Sequence, residues 1–165
     1  MHKLGGDFTE LNLYEEKLKP LDRETLNRRT ALIEKGDYSD PMFDDAKQFA
    51  NADTIVIAAP YWDLSFPSTL KIYIENIYVT GIVSAYDESG MPVGLCKAKE
   101  LYYIITAGGP YDPTYSYGYI ESLANNFFGI PESHLVKAEM LDIIGNDAEE
   151  ILNREINRIL GNGIL

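Results

Sequence analysis

Apolar residues run unbroken from Ile55 to Ala59 and again from Leu101 through Tyr102 and Tyr103 to Ile105. Neither run alternates with polar residues, so each reads as a buried strand, the first one covered on both faces, as in a parallel sheet. Pro60 stops the first run because proline donates no ladder hydrogen bond. From Ser68 onward Leu70, Tyr73, Ile74, Ile77 and Tyr78 recur at helical spacing, with Pro67 in the first turn and Ser65 or Phe66 as its cap. Met42, Phe43, Ala46, Phe49 and Ala50 predict a second helix over 42–51, opened by Asp40 ahead of Pro41. The segment 22–35 has apolar positions for a further short helix, closed by the turn chemistry of Gly36 to Pro41. Residues 117–128 predict another helix, ended by Gly129 and Pro131. The run Asn146-Asp-Ala-Glu149 reads as a capping box for a helix through Leu160.

Alternation of apolar and polar residues marks Phe8 to Leu13 as a strand with one wet face, and His134 to Leu141 as a last strand. Between Thr80 and Leu95, Asp87 to Gly90 and Pro92 to Gly94 supply breakers for a small projecting hairpin. Strand and helix alternate through the second half. The class is therefore α/β with a mostly parallel sheet.

Composition narrows the function classes without naming one. A chain of 165 residues, 45% hydrophobic and 24% charged, suits one globular domain over 1–165. Its formal net charge of -12 argues against a nucleic-acid surface. No apolar run reaches the ~20 residues that span a bilayer, and Met1 to Asp7 lack the apolar segment of a signal peptide. Cys96 is the one cysteine, which rules out an internal disulfide and fits a cytoplasmic protein with a buried, inert thiol. His2 and His134 are isolated, no Cys/His set has metal spacing, and the expectation is a chain without a metal site. The acidic run Asp147, Glu149, Glu150 reads as a solvated helix start.

Two strands run directly into loops that lie on the same side of such a sheet, where ligands bind in open α/β folds. One loop carries Tyr61 and Trp62 with bare amides around them; the other carries Gly108 and Gly109. Aromatic walls and closely approaching backbone N–H groups suit a flat conjugated ligand and stabilise negative charge on it. Taken alone, Trp62 is as readily a half-buried core residue, and a Gly-Gly-Pro turn is common. No G-x-G-x-x-G fingerprint, phosphate-binding G-x-x-x-x-G-K-[ST] loop or G-x-S-x-G elbow is present.

The segment Pro60-Tyr-Trp-Asp-Leu-Ser-Phe-Pro-Ser-Thr-Leu-Lys71 resembles the signature of flavodoxin-like NAD(P)H:quinone oxidoreductases and FMN-dependent NADH-azoreductases. Ala85 to Gly90, Gly94 to Lys99 and Thr106-Ala-Gly-Gly109 resemble that family's hairpin and second flavin loop, in the same order and spacing. The resemblance implies a doubly wound, flavodoxin-like parallel sheet with FMN (or FAD) over its carboxyl edge. It implies that Pro60, Tyr61, Trp62, Asp63 and Leu64 lie along the isoalloxazine, that Thr106, Ala107, Gly108 and Gly109 contact its pyrimidine side, that Tyr111 covers the ring, and that Tyr86 stands near the substrate. It further implies a homodimer that carries hydride from NAD(P)H to a quinone or azo acceptor by a ping-pong route. The cofactor performs that chemistry, so no acid–base dyad is needed.

The resemblance starts about one βα unit late. Phe8 to Tyr14 resembles the family's second strand, and the first strand, Ser-rich phosphate loop and long helix have no counterpart in the sequence. The expectation is an N-terminally truncated flavodoxin-like sheet whose phosphate site is missing and whose FMN binding is weakened. Two alternatives stay open beside the enzyme: a non-catalytic flavodoxin-like remnant serving as a dimerising module, and an electron-carrier flavodoxin.

Overall fold

The computed structural model describes residues 8–161. Three parallel strands form the sheet: β1 (Thr54–Pro60), β4 (Glu100–Thr106) and β5 (Glu132–Ala138), in the order β1-β4-β5. The register pairs Thr54 with Glu100 and Glu100 with Glu132, and it holds without a slip to Pro60, Thr106 and Ala138. Both buried-run strands thus lie side by side with their carboxyl ends level. Between β1 and β4 come α3 (Ser68–Ile77) and an antiparallel hairpin of β2 (Ser84–Tyr86) and β3 (Pro92–Gly94). Between β4 and β5 lies α4 (Tyr117–Leu123), continued by a π-helical turn over Ala124–Phe128. Gly129, at φ 74°, closes that turn in the left-handed conformation glycine accepts at no steric cost.

One face of the sheet carries the core. Ile55, Leu101, Tyr103 and Ile105 are buried there with Ile74, Ile77 and Phe128, and Ile57 and Ala59 pack against them. Each fully buried apolar side chain contributes roughly 1.5–3 kcal/mol relative to exposure. Phe49, on α2 (Asp44–Asn51), meets Phe128 edge-on with ring centroids 5.1 Å apart, which joins α2 to the end of the α4 segment. The other face is covered unevenly. The last helix, α5 (Ala148–Gly161), packs on β5, whereas Val56 on β1 is 45% exposed and Thr54 and Ala58 are also exposed. Double-sided burial of the first run is therefore corrected: β1 buries one face only, and among the described residues its outer edge pairs with no strand.

The expected strand at Phe8–Leu13 does not form. Residues 8–12 are irregular, Phe8 is 56% exposed, and Asn12 turns the chain by accepting the Tyr14 N–H with its side chain. Alternation marks a half-buried surface, but a strand also needs a ladder partner, and among the described residues this segment has none. The last strand begins at Glu132 and ends at Ala138, before Met140 takes φ 67°. Helix 22–35 is present as α1 (Arg23–Glu34), capped by Asp22 on the Thr25 N–H at 2.8 Å. Asp40 caps Met42 as expected, at 3.0 Å. Two caps differ from expectation: Pro67 itself occupies the N-cap of α3, and Asp147 rather than Asn146 accepts the Glu150 N–H at 3.1 Å. Asn146 instead donates to the Met140 carbonyl.

These aspartates set the acid limit of stability. The Thr25 N–H holds the Asp22 carboxyl below its ordinary pKa, the Met42 N–H and Arg28 do so for Asp40, and the Ser89 hydroxyl and Met91 N–H for Asp87. A carboxyl whose folded pKa is depressed contributes fully above its unfolded value of about 4 and loses that contribution as pH falls through the folded value. The melting temperature is expected to be flat from neutral pH down to about 5 and to fall below about 4; a thermal-melt series across that range checks it.

Candidate flavin-binding loops

The loop after β1 is built by a tight hairpin. Trp62 and Ser65 exchange backbone hydrogen bonds at 3.0 and 2.8 Å, and Asp63 and Leu64 span the turn with φ of 49° and 67°. Two consecutive positive φ values make a type I′ turn, a conformation that costs a leucine about 1–2 kcal/mol. The turn pushes Trp62 and Leu64 outward, at 55% and 58% exposure. Trp62 is thus a surface group, which removes the core reading of that residue. Ser65 donates its hydroxyl to the Tyr115 carbonyl at 2.7 Å and ties this loop to the next one.

The loop after β4 is held against the first and against β5. The Tyr61 N–H donates to the Thr106 carbonyl at 2.8 Å, and the Ala107 N–H to the Ala138 carbonyl at 2.8 Å. Tyr61 and Tyr111 meet edge-on, centroids 4.8 Å apart. Tyr111 is fixed at both ends: its N–H donates to Glu139 at 2.9 Å, and its hydroxyl lies 2.7 Å from the buried Ser116 hydroxyl. Lys137, bonded to Glu139, holds that carboxyl below its ordinary range, the Tyr111 N–H adding to the effect, while burial raises the Tyr111 phenol. Tyr111 therefore stays neutral, and its ring is clamped in place.

The bare amides expected around Tyr61 and Trp62 are not those of the two residues themselves, whose N–H groups are both used within the loops. The free donors sit one step further on. Among the described residues the N–H groups of Asp63, Leu64, Gly108 and Gly109 donate to no protein acceptor, while the Gly108 and Gly109 carbonyls accept from Asp142 and Met140. A Cβ on Gly108 would fall 2.1 Å from Asp142, whereas one on Gly109 would meet nothing within 4 Å, and neither glycine has a positive φ. Pro60 and Thr106 are register partners at the level ends of β1 and β4, so the two loops form one continuous rim.

Ten of the proposed contact residues thus come together: Pro60 to Leu64, Thr106 to Gly109, and Tyr111. Tyr86 does not join them within one chain. It ends β2 beside Tyr78, which caps the far end of α3, about 15 Å of helix from the loops. Glu139, Ser116 and Tyr115 were invisible as site residues, because they act by supporting Tyr111 and Ser65 rather than by any local motif. Cys96 lies apart on the hairpin's exit and is half-buried rather than buried; burial pushes its thiol up to about 12, which disfavours the thiolate. No helix among the described residues is long and apolar enough to cross a membrane.

A parallel sheet with helices packed on it, and aromatic residues and unpaired amides at its carboxyl edge, defines an α/β protein with loops gathered at its strand ends. The chain belongs to the flavodoxin-like fold family, which matches residues 1–161. It is 38% identical over 163 residues to FMN-dependent NADH:quinone oxidoreductase 2 of Clostridium acetobutylicum, covering 94% of this chain and 80% of that protein. It is 37% identical over 150 residues to the FMN-dependent NADH:quinone oxidoreductase of Coprothermobacter proteolyticus, covering 87% and 74%. Among solved structures, an FMN-dependent NADH-azoreductase of Bacillus anthracis in complex with FMN superposes with a TM-score of 0.75 at 27% identity, covering 90% of this chain and 76% of that one.

Proposed function

We propose that this chain is an FMN-dependent oxidoreductase that passes hydride from NADH or NADPH to a quinone or azo acceptor in ping-pong fashion. The observation that carries the reading is the rim itself: four unpaired N–H groups at 63, 64, 108 and 109, flanked by Trp62, Tyr61 and Tyr111. Bound FMN would supply the hydride exchange with both substrates. The protein's part is positional and electrostatic. Donors at 108 and 109 and at 63 and 64 would pair with the polar edge of the ring and favour negative charge there. Trp62 and Leu64, already exposed, would stack on it and exclude water, and Tyr111 would close one side. None of these residues needs to move a proton.

A homodimer completes the reading, since a second copy brought over the rim would supply the Tyr86 that one chain keeps distant. The described residues offer donors for the ring at two loops, so binding is expected to depend on the ring and little on the phosphate. Fluorescence titration with FMN and with riboflavin, followed by NADH oxidation with menadione, tests this. Comparable affinities for the two flavins and flavin-dependent turnover with parallel double-reciprocal lines are expected. Absence of turnover at saturating flavin would sink the enzyme reading. It would leave the dimerising module, which the β1 edge that pairs with no strand among the described residues and the exposed Trp62 and Leu64 favour.

A further inference from the structure

At the amino end of the sheet, away from the loops, the register of β4 and β5 creates a side-chain cluster. Glu100 and Glu132 are direct partners across the two strands, and Tyr102 and His134 are the next pair on the same face. One ligand atom from each of Glu100, Glu132 and His134 lies within 4.8 Å of the other two. The His134 imidazole stacks on Tyr102 at 4.7 Å between centroids, with the planes 24° apart. Tyr102 donates its hydroxyl to one Glu100 oxygen at 2.7 Å.

Two features of this cluster are unfavourable as they stand. Carboxylates directly opposite on neighbouring strands repel, and among the described residues no lysine or arginine pairs with either one. The second is His134 Nε2, which is itself shielded and without a hydrogen-bond partner, although the imidazole as a whole is 38% exposed, and which lies 3.8 Å from Glu132, too far for a hydrogen bond. A buried, unpartnered ring nitrogen is costly. Both problems have one chemical solution.

We propose that Glu100, Glu132 and His134 form a site for a divalent transition-metal ion of the Zn²⁺ type, with water completing its shell. Imidazole with two carboxylates is a donor set that suits zinc, and three protein ligands leave a position for water. Ligand atoms about 2.0–2.2 Å from a tetrahedral ion stand roughly 3.3 Å apart, so the cluster must contract by about 1.5 Å. Glu132, whose side chain is 64% exposed, is free to swing by that much. The Tyr102 hydroxyl occupies one Glu100 oxygen and leaves the other for the ion, while its ring orients the imidazole. The ion would staple β4 to β5 at the edge about 20 Å from the flavin loops.

Isothermal titration of chelator-stripped full-length protein with zinc chloride tests the site. One zinc per chain is expected, with a zinc-dependent rise in melting temperature. His134→Phe, which keeps a ring over Tyr102, and Glu132→Gln are each expected to weaken binding by roughly tenfold or more. His2→Ala, a control for the other histidine, is expected to change nothing, and flavin affinity is expected to be the same in every variant. Absence of zinc binding at millimolar metal, or binding unchanged in Glu132→Gln, overturns the proposal. That exposed variant decides the matter even if His134→Phe fails to fold.

Discussion

Gly94→Ala is expected to lower folding stability by about 4 kcal/mol or more, or to abolish soluble expression. Gly94 ends β3 where the hairpin crosses the end of the α4 segment. A Cβ there would stand 2.0 Å from the Gly129 nitrogen and 2.1 Å from the Phe128 carbonyl carbon, both backbone atoms that no side-chain rotation can move away. The contact is reciprocal, because a Cβ on Gly129 would stand 3.0 Å from the Gly94 Cα. Just beyond, the Cys96 N–H donates to the Phe128 carbonyl at 3.1 Å and the Leu95 N–H to Val83 at 2.9 Å. Pushing the backbones apart would break those bonds and uncover Val83, Ala98 and Phe128, all of which are buried. Against a total stability of roughly 5–15 kcal/mol, that loss is decisive. Urea unfolding measures it; a variant within about 1 kcal/mol of the parent would show that the two segments separate easily.

Gly109→Ala is expected to do the opposite. Nothing in the protein lies within 4 Å of the added methyl group and the residue does not need a positive φ, so stability should change by less than about 1 kcal/mol, with a slight gain from the stiffer unfolded chain. If the flavin ring lies on the rim, the methyl group enters the space that ring needs and crowds the N–H that meets it. Flavin affinity is then expected to fall at least tenfold, about 1.4 kcal/mol or more. Thermal melting and flavin titration on one preparation separate the two effects. An unchanged affinity would place the ring elsewhere.

The two buried strands, the glycine and aromatic loops that follow them, the hairpin and the Asp40 cap were legible because each depends on local chemistry. An apolar run, a proline stop, a turn-forming aspartate or an i to i+2 cap acts over a few residues, and the sequence displays it directly. Phe8 to Leu13 misled because alternation describes a surface and does not supply a ladder partner. Trp62 was ambiguous until the type I′ turn at Asp63 and Leu64 turned it outward. That the Thr106 and Ser65 carbonyls take the amides of Tyr61 and Trp62 themselves, leaving those of Asp63 and Leu64 unpaired, was not displayed by the sequence.

By itself, then, the sequence determined the α/β class, the positions of β1 and β4, and the two loops at their carboxyl ends, since short-range backbone preferences and apolar periodicity decide all three. Only the tertiary structure decided which amides on the rim stay unpaired, that Glu139 and Ser116 clamp Tyr111, and that Glu100, Glu132 and His134 converge. Those are properties of strand register and loop contact between residues as far as 45 positions apart in the chain, the separation of Tyr61 and Thr106. No local pattern encodes such distances, because only the packed sheet brings the partners within bonding range.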